Sequence, residues 1–222
     1  MIDQLFLGVV EKLKNEDIFS EYKYRKRDYR LIKKEAYGFT AIELQFWDGF
    51  DLHRNKRALV IKPLYLKRFD ILHKWFEQFS FKSLSDQRDN YSVGFDGKML
   101  GRQNEFFFLL SLEDFDRDYS ILKSSIFSNV QDLNKKFSST LDLYHYLLEP
   151  ILIGNANLPD TGADWVFEYL TLAKIEKPET YLKIKPLIMN QVEALNKRRE
   201  PNITEYYSNM NLILGVLESD NL

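Results

Sequence analysis

The chain has 222 residues, is 45% apolar and contains 17 Phe and 13 Tyr, so aromatic burial can offset ordering entropy and a disordered or low-complexity class is excluded. With no cysteine it has no disulfide framework, thiolate zinc site, thiol nucleophile or cysteine-bound iron–sulfur cluster, and an intracellular, cytoplasmic address fits best. The formal net charge of −2 hides a split: residues 18–84 carry 15 Lys/Arg against 8 Asp/Glu, and residues 85–222 carry 14 against 21, so attraction to nucleic acid has to come from a local patch.

Ile2, Leu5, Phe6, Val9 and Leu13 share one helical stripe, with Lys12 and Lys14 placed favourably at its C-terminal end. The acid at Asp3 and the short apolar run do not suit a signal peptide, so this start reads as mature protein. The longest apolar run elsewhere, Phe106 to Leu110, is far below the roughly 20 residues that cross a bilayer. A soluble chain with no membrane partner is expected.

Residues 22–27, 29–35, 39–47 and 56–62 read as strands. The third is the clearest, because Ile42, Leu44 and Phe46 alternate with Glu43, Gln45 and Trp47. Turn-like Asp48-Gly49 and Arg54-Asn55 favour consecutive antiparallel pairing, a meander of about four strands. Pro63 is expected to end the fourth strand, after which Phe69, Leu72, Phe76 and Phe79 form a helical face that packs on the sheet. Asp96-Gly97 between short apolar arms, 93–100, is the strongest local hairpin signal, and 106–112 reads as one more strand.

Beyond this point the pattern is helical. Leu122, Ile126, Val130, Leu133 and Phe137 form one stripe; a second helix runs from Thr140, read as its cap, to Glu149 before Pro150. Residues 154–162 read as a loop or linker, followed by an amphipathic helix on Val166, Tyr169, Leu170 and Ala173. Pro178 opens another helix that Pro186 is expected to kink or restart, and Ile203, Tyr206, Met210, Ile213 and Leu217 supply the last. The expected fold class is α+β: an antiparallel, strand-rich N-terminal region packed with helices, residues 1–153, then a helical C-terminal region, residues 154–222.

The densest charge lies at Lys23, Tyr24, Arg25, Lys26, Arg27 and Arg30, where cations interleave with tyrosines. In a strand, Lys23, Arg25 and Arg27 would share one face while Tyr22, Tyr24 and Lys26 share the other, able to combine phosphate contacts with stacking. The plainer reading is an edge strand kept from aggregating by long cationic side chains. Asp114-Phe115-Asp116-Arg117-Asp118 imitates the opening of a calcium loop, but Tyr119 stands where the sharp turn needs Gly and Ser125 where a bidentate Glu belongs. Those acids fit the positive end of a following helix dipole better. His53, His73 and His145 show no paired metal spacing, and Gly-x-Ser-x-Gly, dinucleotide and P-loop patterns are absent. No catalytic, cofactor or metal residue is therefore assigned.

The order of an amphipathic N-terminal helix, the strand-rich segment from Tyr24-Arg25-Lys26-Arg27 to Phe46, the helix at 69–79 and the later helices resembles bacterial α+β domains of unknown function. Among these are immunity proteins of contact-dependent or polymorphic toxin systems. The resemblance covers residues 1–150, transfers no active-site residue and leaves the last helices unassigned. Charge segregation without catalytic markers points to a non-enzymatic protein-binding module, of which an immunity role is one case, with Lys23, Tyr24, Arg25, Lys26, Arg27 and Arg30 as partner-binding residues and an acidic protein as partner; an enzyme whose groups converge from distant segments stays open. The alternative is nucleic-acid binding through residues 22–34. Oligomeric state is left open.

Overall fold

The computed structural model describes residues 2–101, 105–109, 114–161 and 163–219. Contacts group them into two compact units, Met1–Arg68 with Val93–Lys136, and Phe69–Ser92 with Phe137–Leu222. The boundary expected at 153–154 falls inside the second unit, in the turn after Leu152 where Gly154 takes a φ of 77°.

The first unit is built on an antiparallel sheet of β1 (Lys23–Arg25), β2 (Arg30–Glu35), β3 (Gly38–Asp51), β4 (Lys56–Phe69), β5 (Val93–Asp96) and β6 (Phe107–Leu109). Strand order is β1-β2-β3-β4-β5, with β6 also paired to β4. The predicted meander is present. Strand β4 does not stop at Pro63 but continues to Phe69. Its Leu59 to Ile61 pair with β6, its Leu64 to Lys67 pair with β5, and Pro63 lies between the two registers, where its missing N–H breaks neither ladder.

The expected 93–100 hairpin does not form, because β5 has its partner in β4. Asp96 instead accepts the Met99 backbone N–H at 2.9 Å and pairs with Lys62 at 3.2 Å, closing a local turn. Although burial works against it, the Met99 and Lys62 contacts hold the Asp96 carboxyl below its usual range. Of the expected 106–112 strand, residues 107–109 are strand and 110–112 lie outside the described residues.

Helices α1 (Ile2–Asn15) and α3 (Phe115–Lys136) cover the sheet face that carries Thr40, Ile42, Leu44 and Phe46. Leu5, Phe6, Val9, Val10 and Leu13 of α1 are buried, each contributing about 1.5–3 kcal/mol of hydrophobic transfer. Phe6 stacks on Phe46 with ring centres 3.7 Å apart. Polar bonds set the position of α3: Asn129 Nδ2 donates to Tyr65 Oη at 3.0 Å, and Lys67 Nζ donates to Asn134 Oδ1 at 3.0 Å.

The second unit is helical: α2 (Leu84–Asp89), α4 (Thr140–Leu147), α5 (Glu149–Leu152), α6 (Asp164–Glu176), α7 (Pro178–Lys197) and α8 (Ile203–Glu218). The predicted helix at 69–79 is two 3-10 segments, Asp70–Leu72 and Lys74–Phe79, and it belongs with these helices rather than with the sheet unit. Phe76 stacks on Phe167 at 4.0 Å, and Tyr206 closes the cluster at 5.1 Å from each ring. Helix α6 is not amphipathic: Val166 to Ala173 are all buried, so it forms the centre of the unit.

Ser139, not Thr140, caps α4, in a reciprocal capping box with Asp142. Helix α7 passes through Pro186 without restarting, and the turn that loses its bond lies at Leu182, on the exposed side of the helix. Among the described residues no helix is long and apolar enough to cross a membrane.

Candidate functional site

The basic cluster forms the first hairpin of the sheet and the turn that closes it. Strand alternation extends only over β1, because Lys26–Asp28 form a 3-10 turn and Tyr29 takes a left-handed φ of 54°. Lys23 and Arg25 therefore share a face, opposite Ile32 and Arg30 of β2, while Tyr24 points to the other face opposite buried Leu31. Arg27 does not join that face as expected, since it lies in the turn. Tyr24 has an inward-facing ring whose hydroxyl is pushed up first by burial and then by Tyr29 and Asp28.

The cations are gathered, as the sequence suggests, but two of them are compensated locally. Arg25 donates from Nε to Asp28 Oδ1 at 2.9 Å and also pairs through Nη2 with Oδ2. Arg30 lies 3.3 Å from Asp28 and 2.7 Å from Glu43 of β3, directly opposite it in the register. Lys33 pairs with Glu21 at 2.6 Å, and that hydrogen bond raises the ammonium above its ordinary range. Lys23, Lys26 and Arg27 are exposed at β1 and the turn, and Lys34 is exposed on β2. Tyr29, 40% exposed, stands beside them with its ring edge-on to Phe6 and Phe46.

Asp28 and Glu43, the carboxylates that pair with Arg25 and Arg30, do not stand out in the sequence. The signal for Asp28 is its placement three residues after Arg25 and two before Arg30. Glu43 is visible only once the β2–β3 register is known. By unit, the sheet unit has 21 Lys/Arg against 17 Asp/Glu and the helical unit 10 against 16, so the sequence split survives in weaker form.

The calcium-like acids resolve differently from the expectation of dipole charges alone. Asp118, with a side chain 2% exposed, accepts both oxygens' bonds from Arg54 Nη1 at 3.1–3.2 Å and is also held by Arg117. Asp51 binds the backbone N–H groups of His53 and Arg54 at 2.9 and 3.1 Å. The β3–β4 turn is thereby locked to the first turn of α3.

In the helical unit, His73 Nε2 meets Ser92 Oγ at 2.8 Å, and that oxygen accepts the Phe69 backbone N–H at 3.1 Å. His73 lines a small cavity with Glu77, Asp164 and Glu168, a histidine among three carboxylates. Its enclosed volume is about 10 Å³, close to the space one water needs. His53 is exposed in the β3–β4 turn, and exposed His145 pairs with Glu149 at 3.1 Å. Among the described residues no group of three or more His, Asp or Glu is arranged to hold a metal ion. Comparison with protein families, with curated proteins and with solved structures finds no match.

Proposed function

We propose that this protein is a non-enzymatic binding module that docks an acidic surface of another protein on its β1–β2 hairpin. The supporting observation is the exposure of Lys23, Lys26 and Arg27 together at the terminal strand and turn of a sheet unit with excess cations. Such a surface raises association rates by steering more than it deepens affinity. An immunity-type role in a bacterial toxin system, exercised in the cytoplasm, is one case; it rests on the element order of residues 1–150 and on the missing cysteines.

Stopped-flow binding to a Glu-rich peptide tests the reading. The association rate should fall steeply between about 20 and 200 mM salt, and the double variant Lys23→Glu/Lys26→Glu should lose most of that dependence. A rate indifferent to both salt and variant sinks the proposal.

Nucleic-acid binding is the second reading, favoured by the exposed Tyr29 ring beside the cations. An unshifted band with single- and double-stranded DNA and RNA at about 50 mM salt would remove it.

A further inference from the structure

Two local rules are broken, and one of them locally compensated, within six residues of the docking hairpin. Arg25 and Arg30 stand directly opposite each other in the β1–β2 register, and like charges so placed repel. Between them Tyr29, a bulky residue, adopts φ 54°, a region such residues rarely enter. Asp28 is then turned back over the hairpin to bridge both guanidinium groups. Departures of this kind concentrate where a structure serves something besides its own stability.

We infer that Arg25 and Arg30 form the carboxylate-recognition element of the hairpin and that Asp28 is its built-in occupant, displaced by an acidic side chain of the partner. The inference rests on the docking reading above and names the chemistry that docks. Asp28 approaches Arg25 with two oxygens on two nitrogens, the fork geometry that an incoming Asp or Glu would adopt. The two arginines play different parts. Arg30, with a side chain 13% exposed and Glu43 at 2.7 Å, is anchored, whereas Arg25 is 30% exposed and can turn toward a visitor.

Asp28 itself is 24% exposed, so the exchange opens no core. The exposed Lys23 and Lys26 add to the positive field that draws in a second carboxylate. An internal occupant that holds the pair nine-tenths of the time weakens the partner's apparent affinity by about tenfold.

The experiment measures binding of a Glu-rich dodecapeptide to the full chain by fluorescence anisotropy at low salt. Asp28→Asn keeps the side-chain shape and turn chemistry while removing the charge, and should tighten binding about tenfold. Arg25→Gln placed on top of it should abolish that gain. In the wild-type chain, peptide addition should move the Arg25 Nε–H resonance, a readout that needs no variant.

An Asp28→Asn chain that folds and binds no tighter overturns the inference, as does a stationary Arg25 resonance under saturating peptide. Either result leaves the docking reading standing if Lys23→Glu/Lys26→Glu still weakens binding. Peptide binding by none of these chains removes both. Tightening toward a single-stranded oligonucleotide but not toward the peptide overturns the carboxylate assignment.

Discussion

In the sheet unit the long helix α3 is fixed by charges and amides: Arg54 to Asp118, Asn129 to Tyr65, Lys67 to Asn134. In the helical unit the middle of the central helix α6 is packed by rings, with Phe167 against Phe76 and Tyr206 and Trp75 Nε1 donating to Thr171 Oγ1 at 2.9 Å, while polar bonds at Asp164, Lys174 and Glu176 hold its two ends. Among the described residues the buried charged side chains are Asp51, Lys67, Arg68 and Asp118 in the first unit and Glu168 in the second. Ion pairs and amides reject a misplaced helix because an unmatched buried charge is costly, while rings tolerate sliding until the packing is filled. The first unit should therefore respond to salt and to the loss of a polar partner, and the second to lost volume.

Phe167→Ala should give the largest loss, about 4 kcal/mol from transfer and cavity terms, with hydrogen exchange rising in α6 and little change in its salt dependence. Asp118→Ala should cost about 2–3 kcal/mol by deleting the charged hydrogen bonds from Arg54 and Arg117, which stay part exposed beside Asp51 and Asp114, with exchange rising first in α3 and the β3–β4 turn. Equal rises in both units for either variant would break the contrast.

A smaller effect is expected at Gly49, where an added Cβ would lie 2.4 Å from Val60 Cγ2. Gly49→Ala should destabilise the sheet unit by about 2 kcal/mol through forced strand movement, read as a lowered denaturation midpoint.

The smallest effect sharpens the contrast within the helical unit. Asp142 is held below the usual carboxylate range, first by the Ser138 hydroxyl and then by Ser139. A depressed folded-state value means its contribution is present above the unfolded value near 4 and is lost as pH falls through the folded one. Asp142→Asn should accordingly cost about 1 kcal/mol at pH 7 and progressively less as pH falls below about 4, measured by denaturation across that range.

Where a pattern is set by local periodicity, the sequence was readable. Helix α1 follows from Leu5, Phe6, Val9 and Leu13, and β3 from the alternation of Ile42, Leu44 and Phe46. Features set by a distant partner were not. Pro63 is tolerated because β4 changes neighbours there, and Asp96-Gly97 makes no hairpin because β4 already holds β5. Phe69 to Phe79 carries a helical spacing, but its rings pack against Phe167 and Tyr206, and a tighter 3-10 path places them there. At the candidate site the cations were legible and their compensation was not. Asp28 and Glu43 become carboxylate partners only through a turn geometry and a register that composition does not record.

One strand, β4, keys β5 and β6 separately along the same edge. Neither needs the other to find its place, so the connection between them can change length without moving a register. The turn at 97–101 leads into it, and Gly101 faces open space with no atom within 4 Å of where a Cβ would sit. This makes the turn a natural graft point: an inserted tag should leave the strand signal in circular dichroism intact, and its loss would show that the two short strands depend on each other after all.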